Sequence, residues 1–181
     1  MVQNENRKIL LHACCGICSA YPITLLQELG YDVVVYFSNS NLDTKDEYVR
    51  RLEAQKKVCS KFNVELLSDA YNHEEYLDFV AGLELEPERG ARCNKCIELR
   101  LVKTAQKCKE LNILEFTTSL PISPYKNYQK IVNLGDVIAS KYNLTFMPFD
   151  FKKKDGFLKT NKIAKELDLY RQNYCGCEFA K

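Results

Sequence analysis

Seven of the nine cysteines in this 181-residue chain fall into three short groups. Cys14 and Cys15 are adjacent, and Cys93 and Cys96 form a Cys-x-x-Cys pair. Two thiolates from each pair can converge on one centre, because four cysteine ligands hold both structural zinc and iron–sulfur clusters. The Cys-x-x-Cys spacing alone leaves zinc, an iron–sulfur cluster and a redox-active dithiol open.

The surroundings of the two pairs favour metal binding. Cys93 lies at the predicted start of a helix, where the helix dipole lowers a thiol pKa and favours the ligating thiolate. Cys14 and Cys15 follow a predicted strand, and the alternative for them is packing as small apolar residues. Cys18 has three interpretations: a fifth ligand, a ligand to a second metal, or no role.

The third group is Cys175-Gly176-Cys177, close to the carboxyl terminus. A single glycine between two cysteines allows a small, strained disulfide ring, and strained disulfides are the redox-active ones. The alternative is a further pair of metal ligands. Cys59 and Cys108 differ from these groups, because each lies on the apolar face of a predicted helix and is expected to pack in the core.

Composition places the chain among ordinary globular proteins, with 46% hydrophobic and 28% charged residues. The formal net charge is +2, so any nucleic-acid-binding surface must be local. An odd cysteine count in a chain of this length argues against a disulfide scaffold. The apolar run before Cys14 is too short for an export signal, and no stretch reaches the length of a membrane span. We therefore expect a cytoplasmic protein whose cysteines serve metal or redox chemistry.

Short apolar runs alternate with helical patterns along the whole chain. Strands are predicted at 8–12, 32–37, 64–67, 113–117 and 144–149, and helices at 19–29, 46–62, 74–82, 94–111, 128–142 and 158–168. This alternation predicts a single α/β domain over residues 1–181, with a doubly wound, mostly parallel, Rossmann-like sheet of five strands and helices on both faces. Ligands of such sheets bind at the carboxyl ends of the strands. Cysteines occupy the first of these ends, where no Gly-x-Gly-x-x-Gly or Walker motif is present.

Several basic residues lie near the predicted thiol site or beside aromatic residues. Basic groups next to aromatic rings suit phosphate contact combined with base stacking on an unpaired RNA loop. The alternative is that they belong to ordinary solvated helix faces. The residues predicted to bind RNA are Arg100, Lys103, Lys126, Lys152, Lys153 and Lys154.

The motifs resemble a known set, the cobalamin-independent epoxyqueuosine reductases of the QueH family. The matching segments are 10–15 (LLHACC), 92–101 (RCNKCIELRL), 116–120 (FTTSL), 123–126 (SPYK), 150–152 (DFK) and 169–177 (LYRQNYCGC). Two departures are Ile17 and Ser40, where the family commonly has proline. A third is Cys18, a position that can be Asp in relatives.

The resemblance implies reduction of epoxyqueuosine to queuosine at the wobble position of tRNA. It implies that a [4Fe–4S] cluster is held by four of the cysteines, and that two others form a redox-active disulfide. It also implies a second, mononuclear metal such as iron, with Cys18 as a candidate ligand. The four cluster cysteines are Cys14, Cys15, Cys93 and Cys96, and the disulfide pair is Cys175 and Cys177.

Two other classes of function remain open at this point. One is a tRNA-binding zinc module without turnover, and the other is a sulfur-transfer enzyme that modifies tRNA. The predicted partners are a tRNA that carries epoxyqueuosine and an unidentified electron donor, with no membrane contact.

Overall fold

The computed structural model describes residues 7–180, so the ends of the predicted 1–181 domain lie outside the described residues. The strands are β1 (Arg7–His12), β2 (Tyr31–Phe37), β3 (Glu65–Ser68), β4 (Glu115–Thr118) and β5 (Thr145–Phe146). The helices are α1 (Gly16–Glu28), α2 (Lys45–Phe62), α3 (His73–Phe79), α4 (Ala91–Leu111), α5 (Tyr128–Tyr142) and α6 (Gly156–Glu166). Two short 3-10 helices span Leu120–Ile122 and Glu178–Ala180.

The five strands form one sheet in the order β3-β2-β1-β4-β5, and every pair of neighbours is parallel. Alternate side chains of β1 enter different cores, because successive residues of a strand face opposite sides of the sheet. Ile9 and Leu11 pack with residues of α1, α2 and α6, whereas Leu10 packs with residues of α4 and α5. The predicted doubly wound α/β fold with helices on both faces is confirmed.

Helix α1 begins at Gly16, earlier than the predicted residue 19, because Cys15 is its N-cap. The Cys15 Sγ accepts a hydrogen bond from the Cys18 backbone N–H. Gly16 also permits close packing on α2, since a Cβ there would lie 2.7 Å from the carbonyl carbon of Ala54. The first turn of the helix therefore includes Cys18, next to the adjacent pair.

The last strand is much shorter than the predicted 144–149. The Met147 N–H still bonds the Phe116 carbonyl, but the next N–H on that side, that of Phe149, donates to the Met147 carbonyl instead of to β4. The chain therefore leaves the sheet and turns toward α6. No helix of the described residues is long and apolar enough to cross a membrane.

Cys59 and Cys108 lie in the two main cores, as predicted from their positions on apolar helix faces. Cys59 belongs to the α1–α2 side of the sheet, and Cys108 belongs to the α4–α5 side. Burial raises the pKa of Cys59 to about 11 and that of Cys108 to about 12. Both residues are therefore packed as unreactive thiols.

Candidate active site

Three thiols meet directly after the central strand β1, in the segment 12–18, which we call the thiol turn. The Sγ atoms of Cys14, Cys15 and Cys18 all lie within 4.8 Å of one another. The Cys15 and Cys18 Sγ atoms are 2.8 Å apart, which is longer than a disulfide bond. Among the described residues, this close group does not include Cys93 or Cys96.

The thiol turn is fixed by hydrogen bonds to both neighbouring strands. The buried His12 ring contacts the Thr118 hydroxyl through Nδ1 at 2.9 Å and the Ser38 carbonyl through Nε2 at 3.1 Å. A carbonyl accepts only, so Nε2 carries the proton and Nδ1 accepts from Thr118. Burial lowers the pKa of His12 to about 4, which keeps the ring neutral near pH 7.

Two further polar side chains hold the backbone of the thiol turn. The Asn39 amide donates to the Ala13 carbonyl at 2.9 Å. The Ser119 hydroxyl accepts from the Cys14 N–H at 3.3 Å and lies 3.7 Å from the Cys14 Sγ. The positions of the thiols therefore follow from the sheet and from the loops after β2 and β4.

The three clustered thiols differ in acidity. Hydrogen bonds from Cys15 and Cys18 lower the pKa of Cys14 well below its usual range; burial opposes this, and Arg100 adds to it. The hydrogen bond to Cys14, together with burial, raises the pKa of Cys15 to about 12. The group alone thus favours one thiolate at Cys14, and ionising all three thiols requires additional positive charge, which a metal ion supplies.

Arg100 of helix α4 brings positive charge to this region, next to Cys96. Arg100 is 4% exposed, and its Nη2 donates to the Cys96 Sγ at 3.3 Å. Burial would lower the pKa of Arg100, but the nearby sulfurs of Cys96, Cys175 and Cys14 raise it above its usual value. Burial raises the pKa of Cys96 to about 11, and Arg100 opposes that rise.

Cys93 lies within the first turn of α4, which begins at Ala91 and not at the predicted residue 94. Its side chain is half-buried, and its Sγ accepts a hydrogen bond from the Arg89 N–H at 3.2 Å. The structure therefore places Cys93 and Cys96 on one helix N-terminus.

The last cysteines lie in residues 174–177, which we call the C-terminal thiol segment. Arg51 of α2 is 3% exposed and donates to the carbonyls of Cys175 at 3.0 Å and Tyr174 at 3.1 Å. The same guanidinium forms an ion pair with the buried Glu47 at 2.7 Å. The Gly176 carbonyl accepts from the Asp43 N–H at 2.8 Å, so three consecutive carbonyls of this segment are bound.

Both thiols of this segment are free, and no disulfide links them. Cys175 faces a cavity, and its Sγ lies 3.6 Å from the Lys126 ammonium. Cys177 is 4% exposed and packs with Tyr76 and Cys96. The redox-active disulfide remains a prediction.

A cavity of about 620 Å³ opens beside these groups. Cys14, Cys18, Cys175 and Arg100 line its thiol side. Its volume is in the range of small-molecule sites and suits one nucleoside. The structure thus combines nucleophilic or metal-binding sulfurs with a space for a single ligand.

Arg100 and Lys103, both predicted to bind RNA, are engaged by groups of the protein itself. Arg100 is buried against Cys96, and the Lys103 ammonium is bound to Asp69 at 3.2 Å and Glu75 at 2.7 Å. Helical periodicity placed both residues on one arc, but this arc faces the protein interior and two carboxylates. Contact with phosphates outside the cavity is therefore not supported for these two residues.

The other predicted RNA-binding residues are more accessible. Lys126 lines the cavity near Cys175. Lys152 is half-buried, while Lys153 and Lys154 are exposed in the turn before α6. Their contact with RNA stays a prediction.

Sequence reasoning missed three polar residues that organise the site: His12, Arg51 and Gln172. The Gln172 amide donates to the Cys15 Sγ at 3.0 Å, which connects the C-terminal region to the thiol turn. The role of Arg51 could have been inferred from Glu47 four residues earlier, because oppositely charged residues at i and i+4 lie side by side on a helix. Gln172 gave no such signal, since its partner lies 157 residues away.

Solved structures confirm the fold class. The chain resembles the U34-tRNA thiolase NcsA from Methanococcus maripaludis with its [4Fe–4S] cluster, with a TM-score of 0.63 and 17% identity over 99% of this chain and 63% of that one. It also resembles the NH3-dependent NAD synthetase from Campylobacter jejuni, with a TM-score of 0.55 and 18% identity over 92% of this chain and 66% of that one. At these identities the likeness concerns the fold alone.

Sequence comparisons are more specific. The family model for epoxyqueuosine reductase QueH matches residues 9–181. The Epoxyqueuosine reductase QueH of Streptococcus pyogenes serotype M1 is 43% identical over 95% of this chain and 69% of the relative. That of Staphylococcus epidermidis is 36% identical over 97% of this chain and 77% of the relative. With its thiol turn and C-terminal thiol segment in the matched region, this chain belongs to the QueH family of epoxyqueuosine reductases and is an oxidoreductase.

Proposed function

We propose that the protein reduces epoxyqueuosine to queuosine at the wobble position of tRNA, the last step of queuosine biosynthesis, in the cytoplasm. The observation that carries this proposal is the buried Arg100, which lies among sulfurs at the wall of a nucleoside-sized cavity. Within residues 7–180, Arg100 has no carboxylate in an ion pair, and a buried cation requires a counter-charge. Anionic sulfur, such as ligating thiolate, provides that charge.

The donor set fits an iron–sulfur centre. In this proposal Cys14, Cys15, Cys93 and Cys96 hold a [4Fe–4S] cluster, which supplies single electrons when bound. Cys18 is the candidate ligand for a second metal such as iron, because its Sγ lies within 4.8 Å of the Sγ atoms of both Cys14 and Cys15. Arg100 balances the negative charge of the thiolates.

Removal of an epoxide oxygen as water requires two electrons and two protons. Cys175 and Cys177 can supply both, because closing two thiols to a disulfide releases two electrons and two protons. Cys175 faces the cavity, next to the Lys126 ammonium. A separate reductant then reopens the disulfide for the next turnover.

The substrate is large and anionic, so part of its binding must come from outside the cavity. Lys126 at the cavity wall and Lys152, Lys153 and Lys154 before α6 are proposed to contact tRNA phosphates. Arg100 contributes inside the cavity instead, where it can donate to the bound nucleoside.

The decisive experiment is incubation of anaerobically purified protein with epoxyqueuosine-containing tRNA and a reductant, followed by nucleoside mass spectrometry. We expect queuosine to replace epoxyqueuosine. Unchanged epoxyqueuosine from protein that shows cluster absorbance near 400 nm would refute the proposal. A colourless, zinc-containing protein would favour the zinc module, and a thiolated nucleoside would favour sulfur transfer.

The tRNA contact can be tested separately with the salt dependence of binding. Neutralising Lys152, Lys153 and Lys154 together should lower tRNA affinity and flatten the dependence of log affinity on log salt, because fewer counterions are released. The matched control neutralises Lys56, Lys57 and Lys61, three exposed lysines of α2 that do not line the cavity. An unchanged slope in the first variant would exclude these lysines as phosphate contacts.

A further inference from the structure

The mouth of the cavity carries an exposed aromatic ring. Tyr125 lines the cavity, yet its side chain is 67% exposed. The Tyr125 N–H donates to the Ser123 hydroxyl at 3.2 Å, and the Lys126 N–H donates to the Ser123 carbonyl at 3.3 Å. These hydrogen bonds order the backbone that carries the ring, and the ring belongs to none of the hydrophobic clusters of the described residues.

A cation from a second loop lies over the same ring. The Arg89 guanidinium is 5.2 Å from the Tyr125 ring centroid, and Arg89 also lines the cavity. Arg89 precedes α4 and has a φ of +69°, so its backbone adopts a conformation that is uncommon for residues other than glycine. The loop before α4 and the loop 123–126 thus meet at the cavity in an exposed cation–π pair.

The size of the cavity makes such a pair useful. A volume of about 620 Å³ is that of a small-molecule site and accommodates one nucleoside. A nucleoside of an RNA loop can enter only if it leaves the stack, and the base beside it then loses a stacking partner. An aromatic ring at the mouth can replace that partner, because bases of every kind stack on aromatic side chains.

We infer that Tyr125, supported by Arg89, is a stacking platform for the base that neighbours the nucleoside in the cavity. The partner is an unpaired RNA loop, and the inference rests on the proposed function for the identity of the flipped nucleoside. The platform binds RNA without reading its sequence, since stacking discriminates little between bases.

The first test is the affinity of anaerobically purified protein for a fluorescently labelled anticodon stem-loop, measured by anisotropy. Tyr125→Ala should weaken binding roughly 5- to 100-fold, the range expected for one base–aromatic stack. Tyr125→Phe should stay within about 2-fold of wild type, because the ring remains. The matched control is Phe79→Ala, since Phe79 is exposed and lies under the Lys95 ammonium at 5.3 Å but does not line the cavity.

The second test identifies the group that stacks. Two stem-loops are compared, each with an abasic site at one of the two neighbours of the wobble position. Wild type should bind one of them more weakly than the intact RNA, and Tyr125→Ala should bind that RNA no more weakly than wild type does. An equal effect of Tyr125→Ala on the intact and both abasic RNAs would overturn the inference, as would unchanged binding of Tyr125→Ala. If Tyr125→Ala has no effect on one abasic RNA but the protein does not reduce epoxyqueuosine, the platform stands and only the proposed function is refuted. If the protein reduces epoxyqueuosine but Tyr125→Ala weakens binding of all the RNAs equally, the platform is refuted and the proposed function stands.

Discussion

The thiol turn and the C-terminal thiol segment present cysteines to the same cavity but are held in different ways. The thiol turn follows the central strand, and His12 ties its start to the neighbouring strand β4 and to the residue after β2. The C-terminal segment belongs to no strand or helix, and it is held by the side chain of Arg51 and the backbone N–H of Asp43. Both regions have long-range hydrogen bonds, but only the thiol turn is also continuous with a central strand and a helix.

This difference matches the chemistry proposed for each region. Metal ligands must keep one geometry, and a turn anchored to a buried sheet provides it. A dithiol that opens and closes needs some freedom of its backbone, which a segment held by a few contacts retains. We therefore expect changes in the thiol turn to abolish metal binding, and changes around the C-terminal segment to act more gradually.

The largest expected effect is the loss of a cluster ligand. Cys15→Ala should lose iron, sulfide and activity, because its buried thiol belongs to the three-thiol group. Cys14→Ala, Cys93→Ala and Cys96→Ala should behave in the same way. Iron and sulfide assays of anaerobically purified protein measure the outcome. Cys59→Ala and Cys108→Ala are the controls and should retain the full iron content; retention in Cys15→Ala would remove it from the ligand set.

Replacing the other thiol pair should separate electron supply from metal binding. The double variant Cys175→Ser and Cys177→Ser should keep the cluster absorbance while turnover slows or stops, because these residues are proposed to carry electrons and not iron. Thiol trapping with mass spectrometry before and after turnover should detect the disulfide in wild type. Loss of iron in the double variant would make the pair ligands, and full activity would mean that neither role is needed.

Removing the Arg51 side chain, which anchors the C-terminal thiol segment, should measurably lower the free energy of unfolding. Arg51→Met leaves Glu47 buried without its partner, which should lower the free energy of unfolding by about 3–5 kcal/mol. Urea denaturation measures this change, and alkylation of Cys175 should become faster. Lys56→Ala in the same helix removes the exposed pair with Glu53 and should cost less than about 1 kcal/mol. Equal costs for the two variants would mean that Arg51 is not an anchor.

A smaller effect is expected from Gly176→Ala. Gly176 has a φ of +122°, and an added Cβ would lie 2.5 Å from the Leu42 Cδ2. Backbone strain of about 1–3 kcal/mol should weaken the segment without unfolding the sheet. Gly82 also has a positive φ, but a Cβ added there would have no atom within 4 Å. Gly82→Ala therefore measures backbone strain without a steric clash. Limited proteolysis compares the two variants, and equal susceptibility near the carboxyl terminus would show that the Leu42 contact is unimportant.

Much of the fold follows from local pattern, and the site follows only in part. The alternation of apolar runs predicts the sheet. Thr44 with Glu47 three residues later has the capping-box spacing, and the Thr44 hydroxyl does accept from the Glu47 N–H at the start of α2. The early start of α1 was not predictable, because a cysteine side chain caps it. The burial of Arg100 against Cys96 was not predictable, since helical periodicity gives the arc of a side chain but not what packs against that arc.

The central position of β1 also affects when the site can form. The hydrogen bond from Cys14 to Ser119 spans 105 residues, and the bond from Gln172 to Cys15 spans 157. At a synthesis rate of about 5–20 residues per second, the thiol turn leaves the ribosome about 8–30 s before its last protein partner. During that interval its thiols lack the groups that later bury them. The thiol turn therefore acquires its full set of hydrogen bonds only after Gln172 has been synthesised.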